Sequence, residues 1–197
     1  MSSTCSDWYD ANARQYCAET AGANVSDAQR RFARLIPRGG RILDIGCGSG
    51  RDAAYFSMLG FAVDARDASA AMATEARKMT GVHVKVESVL ELCEVSRFDG
   101  VWASALLVHF ADPEFGEAVV RMTNALKPDG VLYLSVKQGT GEAWVGGRWF
   151  RYWTPTALTD RLSHGHGLHV REVWSAADST RAGTEWINVL ASRVAAQ

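Results

Sequence analysis

Ile42-Leu43-Asp44-Ile45-Gly46-Cys47-Gly48-Ser49-Gly50 is the stretch from which the rest of the chain is read. An apolar run carries one carboxylate and then breaks into alternating glycines. Arg51-Asp52-Ala53-Ala54 follows and opens a helical pattern. The order predicts a strand, a tight turn and a helix N-terminus. Glycine reaches positive φ without a steric cost and lets a ligand lie against the backbone. The first turn of the helix adds unpaired N–H groups and the positive end of its dipole. A turn of this kind can cradle a nucleotide-like cofactor.

Two cofactor classes compete for it. A dinucleotide fingerprint places its third glycine three residues after the second, and that position is Arg51. The chain reads Asp-x-Gly-x-Gly-x-Gly instead. Asp44 would repel a pyrophosphate. It complements the ammonium and sulfonium of S-adenosylmethionine, directly or through water. An Asp that only caps the turn is the plain structural alternative.

With these residues in view, Ile42 to Gly50 resembles motif I of class I S-adenosylmethionine-dependent methyltransferases. The likeness runs from about Trp8 to Arg193. More narrowly, the compact size and C-terminal arrangement are similar to small tellurite-resistance-like methyltransferases. The resemblance implies a Rossmann-like α/β fold: a seven-stranded, mostly parallel sheet whose last strand is antiparallel, with helices on both faces. It also implies one methyltransferase domain over 1–197, with 1–36 forming a helical cap over the cofactor site.

Composition bounds the rest. The chain has 197 residues and a formal charge of -1, enough length for a full α/β core and no basic footprint for nucleic acid. Met1 to Tyr16 lacks the apolar stretch of a signal peptide, and Val101 to Ala111 is too short to span a bilayer. Cys5, Cys17, Cys47 and Cys93 form no CxxC; they read as reduced thiols in a cytoplasmic protein. A small-molecule acceptor is expected, with neither nucleic acid nor membrane as partner, in a monomer or homodimer.

Along the chain, residues 5–19 predict a short helix. Tyr9 to Tyr16 fits the family's Tyr-Asp-x-x-Ala-x-x-Tyr segment, which folds over the cofactor. Ser26 is expected to cap a helix through Leu35, with Phe32, Leu35 and Ile36 as its apolar side. After strand 41–45, a helix from Arg51 to Met58 buries Ala54, Phe56 and Leu59, and Gly60 ends it. Strand two, about 61–66, leads to Asp67, placed to accept from both ribose hydroxyls. Asp64 is the rival, but alternation puts it on the opposite face. The family pattern Val-x-x-x-Asp-x-Ser-x-x-Met aligns Val63, Asp67, Ser69 and Met72, with Ser69 as the next helix cap. Strand three is 82–86. Ser88 and Val89 stand where the family carries an acidic residue for adenine; Glu87 lies beside them. The resemblance therefore assigns Tyr9, Tyr16, Asp44, Gly46, Cys47, Gly48, Gly50, Arg51, Asp67, Ala68, Ser88, Val89 and Ala103 to the cofactor.

Strand four, 100–103, opens into Ser104 to Phe110, a loop without the Asn/Asp-Pro-Pro-aromatic signature of base and amide N-methyltransferases. His109 is its titratable group, either a base or a structural hydrogen-bonder. Asp112 and Pro113 predict an N-cap and N1 pair for a helix to Leu126, and Lys127-Pro128-Asp129-Gly130 a turn into strand five, 131–136. The aromatic-rich run from Trp144 to Trp153 reads as a flexible loop, packed on the sheet edge or walling an acceptor. Lys137, Arg148, Arg151 and Arg181 are the acceptor-binding candidates. Thr154-Pro155 opens a last helix. His164, His166 and His169 lack a completing ligand, so no metal is expected. Strands 168–175 and 184–193 predict an antiparallel hairpin. The competing functions are cofactor binding without transfer, nucleic-acid methylation and a NAD-type reductase.

Overall fold

The structure is a computed structural model that describes residues 3–194. Two helices, α1 (Ser3–Thr20) and α2 (Ser26–Ala33), precede β1 (Arg41–Ile45). There follow α3 (Arg51–Met58), β2 (Ala62–Asp67), α4 (Ala70–Thr80), β3 (Val84–Val86), β4 (Phe98–Ala103), α5 (Asp112–Ala125) and β5 (Leu126–Lys137). A hairpin of β6 (Glu142–Val145) and β7 (Arg148–Arg151), then α6 (Pro155–Ser163), β8 (Leu168–Ala177) and β9 (Glu185–Arg193), complete the chain. The main sheet has seven strands in the order β3-β2-β1-β4-β5-β9-β8. The first five run parallel, while β9 is antiparallel to both β5 and β8. The expected Rossmann-like sheet is therefore present, including the inserted antiparallel strand.

Alternation along the central strands divides two cores. Leu43, Ile45, Val101, Ala103, Leu132 and Leu134 face one side, packed on α5. Ile42, Trp102, Val131 and Tyr133 face the other, packed on Phe32 and Phe56. Trp102 stacks on Tyr133 at 3.7 Å between ring centroids. Burial on both faces explains the apolar run from Gly100 to Ala103 in β4.

Several local expectations change. Ser26 does not cap α2: Val25 holds that position without a side-chain bond, and the Ser26 N–H donates to Asn24 Oδ1 at 3.1 Å. The helix stops at Ala33, leaving Leu35 36% exposed. In α3 the buried side chains are Asp52, Ala53 and Phe56, whereas Leu59 is 52% exposed. Asp112 is inside α5, not its cap, because it pairs with Arg151 and Arg161. Ser69 and Thr154 do cap α4 and α6 by accepting from Met72 N and Ala157 N.

Most of the 144–153 stretch belongs to the β6–β7 hairpin, not to a loop. Val145 pairs with Arg148 across Gly146-Gly147, whose φ values are 56° and 77°. Two residues at positive φ make the turn that matches strand twist, and glycine meets that demand at the least cost. Among the described residues, no helix is long and apolar enough to cross a membrane.

Candidate functional site

The strand order turns at β1, with β2 on one side and β4 on the other. Open α/β sheets bind ligands at the carboxyl ends of the strands beside such a point. A cavity of about 750 Å³ lies there, within the range for small-molecule sites. Its wall includes Tyr9 and Tyr16 from α1, the Gly46–Ser49 turn, Asp67 and Ala68 after β2, Ser88 and Val89 after β3, and Ser104–Leu106 after β4.

The glycine turn is built as its sequence requires. Gly46, Gly48 and Gly50 all have positive φ, at 70°, 56° and 75°. Their reasons differ. A Cβ on Gly46 would meet Leu106 Cδ1 at 2.8 Å, so the residue lets the β4 loop close on the turn. Gly48 would meet only Met72 Cε at 3.8 Å and presents open backbone to the cavity. Gly50 lies outside the wall: a Cβ there would stand 3.0 Å from Thr80 Oγ1 and 3.2 Å from Ala76 Cβ. Its glycine serves helix packing against α4.

Asp67 locks this turn to β2. Its Oδ2 accepts from Gly48 N and its Oδ1 from Ser69 N, both at 2.9 Å. Burial pushes its carboxyl up to about 6 despite these two backbone donors, and the Asp10 charge adds to the rise. Asp64 lies on the opposite face, where buried Arg66 binds it together with Glu87 and Glu94. Glu87 is therefore committed to Arg66 and Lys85 and offers adenine little. The Ser88 hydroxyl accepts from Leu90 N in a capping box with Glu91, so its acceptor role is local.

Asp44 is 2% exposed and sits behind the wall rather than in it. Its Oδ2 is buried with no hydrogen-bond partner. Burial raises its carboxyl well above the usual range, and the nearby Asp52 charge adds to this while Arg51 opposes it. Asp52 accepts from Gln29 Nε2, Trp102 Nε1 and the Arg51 fork. Arg51 lines the cavity while also donating to the carbonyls of Thr20 and Ala23. It thereby fastens the C-terminal end of α1 to the glycine turn. Ala103 is fully buried in β4 and is not part of the wall.

α1 closes the cavity as a strap. Asp10 Oδ1 accepts from Ser69 Oγ and, at 3.1 Å, from Ala71 N, pinning α1 to the start of α4. Tyr9 OH lies 2.9 Å from His109 Nε2. His109 Nδ1 lies 2.7 Å from the Trp149 carbonyl, which only accepts, so the ring carries its proton there and Nε2 accepts from Tyr9. Burial lowers the imidazole to about 4, and the Arg148 and Lys137 charges act in the same direction. His109 is thus a neutral ring facing the cavity through the Tyr9 hydroxyl.

Three of the four acceptor candidates line the cavity: Lys137, Arg148 and Arg181. Arg151 does not. It pairs with Asp112 at 3.3 Å and stacks on Trp153, because its place on β7 turns it away from the cavity. Sequence reasoning missed Asp10 and Ser135, and named Phe150 only within an aromatic run read as packing or as an acceptor wall. Ser135 Oγ accepts from Ala105 N at 2.9 Å, where Ala105 takes a left-handed φ of 55°. Phe150 was hidden by reading the hairpin as a loop, although Gly146-Gly147 between two apolar runs is a hairpin signal. His164 and His166 bond Asp160 and Arg161, and no metal-holding cluster occurs among the described residues.

The residues fit an S-adenosyl cofactor. Asp44 brings an orphaned buried oxygen suited to a cation, Gly48 an open backbone, and Asp67 a carboxylate at the strand end. Comparison with known proteins agrees. A family described as a methyltransferase domain matches residues 10–177. The ubiquinone biosynthesis O-methyltransferase of Xanthomonas axonopodis pv. citri (strain 306) is 34% identical over 146 residues, covering 70% of this chain and 59% of that protein. The chain thus spans about three fifths of that relative's length. Among solved structures, the 1,6-didemethyltoxoflavin-N1-methyltransferase of Burkholderia thailandensis, with 1,6-didemethyltoxoflavin and S-adenosylhomocysteine bound, superposes with a TM-score of 0.81 at 23% identity. That match covers 96% of this chain and 87% of the other. The [4+2]-cyclase SpnF shares the fold at a TM-score of 0.77 and 15% identity, over 97% and 95% of the two chains.

Proposed function

The chain belongs to the methyltransferase-domain family of S-adenosylmethionine-dependent proteins, and from that premise we propose that it moves a methyl group from S-adenosylmethionine to a small-molecule acceptor. The observation that carries this reading is the glycine turn tied through Gly48 N to Asp67 at the floor of a 750 Å³ cavity, with the unpartnered Asp44 oxygen behind it. When bound, the cofactor supplies a methyl carbon on a cationic sulfur: the acceptor's lone pair forms the new bond while the carbon–sulfur pair returns to sulfur.

The protein's part is placement. Each Asp67 oxygen keeps a lone pair beyond its backbone bond and can accept from a ribose hydroxyl. Asp44 balances the positive end of the cofactor. Arg51 and α1 hold the turn and the strap in one arrangement. Alignment of this kind is worth about 7–11 kcal/mol in favourable systems. An acceptor that is already an anion needs no base. A protonated one would release its proton toward Tyr9 OH and His109 Nε2, which stand in hydrogen-bond contact.

The test is S-adenosylhomocysteine release from a metabolite library, beside calorimetry with donor and product. Heat with both, and turnover with at least one small acceptor, is the expected result. Binding of a dinucleotide with no heat from either S-adenosyl compound would end the reading.

A further inference from the structure

The cavity wall carries six basic side chains, of which Arg30, Arg31 and Arg51 are paired with Asp27, Glu172 or Asp52. Lys137, Arg148 and Arg181 are not: among the described residues none of them forms a salt bridge. Lys137 is 8% exposed, and its ammonium lies 3.7 Å from the Phe150 ring centroid and 6.0 Å from that of Trp186. That ammonium makes no hydrogen bond to a protein group among the described residues. The Arg148 guanidinium stacks on Trp8 at 4.1 Å and faces Phe150 at 5.2 Å, with its Nε buried and unpartnered.

A nearby carboxylate, Asp178, is spent elsewhere. Its Oδ1 accepts from Thr180 N, Thr180 Oγ1 and Arg181 N, and its Oδ2 from Trp186 Nε1. Burial and the Arg181 and Arg148 charges lower the Lys137 ammonium to about 8, against the smaller opposing pull of Asp178. A buried cation without a partner is costly. Three cations at one end of a cavity, two of them stacked on aromatic faces, therefore mark a place for negative charge.

Resting on the methyl-transfer reading above, we propose that the methyl acceptor is a small organic anion, held by its carboxylate or an equivalent oxyanion among Lys137, Arg148 and Arg181. Trp186, in the same wall and only partly buried, suits a planar carbon skeleton. The acceptor's charged group stays intact in this arrangement. A different heteroatom of the same molecule supplies the pair that bonds the methyl carbon, and its proton, where it has one, leaves toward Tyr9 OH.

Calorimetry on protein saturated with S-adenosylhomocysteine tests the proposal, with benzoate, 4-hydroxybenzoate and inorganic phosphate as probes and the two neutral amides as controls. At least one acid should bind about tenfold or more tightly than its amide. Lys137→Met should abolish that preference while leaving S-adenosylhomocysteine affinity within about twofold, as a cavity-end cation does not touch the glycine turn. Arg181→Gln, in the β8–β9 link away from the packed core, should reduce it too and guards against misfolding of the first variant. Equal binding of acids and amides, a preference that survives both substitutions, or no binding of any anionic probe overturns the proposal. If S-adenosylhomocysteine itself fails to bind, the methyl-transfer reading falls separately. The comparison of acids with amides on the cofactor-free protein then decides the anion site by the same criterion.

Discussion

Asp67 and His109 carry opposite electrostatic burdens, and both can be read by titration. Asp67 is raised to about 6 from an ordinary value of 3.8. Between those values the folded protein binds the extra proton, so this group's contribution to stability falls as pH rises through the window. His109 is lowered to about 4 from 6.5. Across that interval the unfolded chain binds the extra proton, so its contribution rises with pH. The two slopes oppose each other in the wild type. In a His109→Phe variant the urea midpoint should decline from pH 4 to 6, more steeply than in the parent. The same Asp67 carboxylate should make cofactor affinity drop as pH falls below about 6, since a protonated acid accepts less well from ribose hydroxyls. Asp67→Ala should weaken S-adenosylmethionine by more than about tenfold at neutral pH; calorimetry at pH 5, 6 and 7.5 measures both effects.

Two elements reach over the cavity, and each has a contact that one substitution can test. Asp10 is one anchor of α1, its carboxylate meeting Ser69 Oγ and Ala71 N beside the apolar packing on Met72. Asp10→Ala should loosen α1 before it unfolds anything else. Amide exchange in residues 8–18 should quicken, and cofactor dissociation should speed severalfold. The β6–β7 hairpin depends on its glycines. A Cβ on Gly147 would lie 2.8 Å from Trp8 Cδ1, and the φ of 77° adds about 1–2 kcal/mol for any other residue. Gly147→Val should therefore displace Arg148 from its stack on Trp8. The expected signature is a raised KM for acceptor with little change in cofactor affinity.

The molecule is stabilised by two apolar layers that share β1, β4 and β5 between them. Phe98 is fully buried at the start of β4, and Phe98→Ala should cost about 3–5 kcal/mol. Gly100 tests the opposite failure. A Cβ there would stand 2.5 Å from Phe32 Cζ and 2.7 Å from Ile36 Cδ1, so Gly100→Ala should overpack the α2 face by about 1–3 kcal/mol. Thermal unfolding of both variants, with cofactor binding measured below the transition, separates a stability loss from damage to the site.

How much was legible follows from the range of each interaction. The glycine turn, the carboxylates at 44 and 67, the caps at Ser69 and Thr154 and the β8–β9 hairpin all rest on neighbours in sequence: backbone dihedral demands, side-chain alternation and short connections. Those forces act over a few residues, so the order of residues determined them, whereas the strand order of the sheet was implied by the family resemblance. What the chain order left open involved partners distant in sequence. Arg148 and Arg151 are three apart with the same chemistry, yet one faces the cavity and the other Asp112. His109 could be read as a base or as a structural hydrogen-bonder, and its partners Trp149 and Tyr9, 40 and 100 residues away, are set only by the fold. Gly50 belongs to the fingerprint, but its missing Cβ makes room for α4. Only the folded arrangement sets which charges are paired, because pairing depends on distance and shielding in space. That arrangement gathers Lys137, Arg148 and Arg181 in one cavity without counter-ions among the described residues.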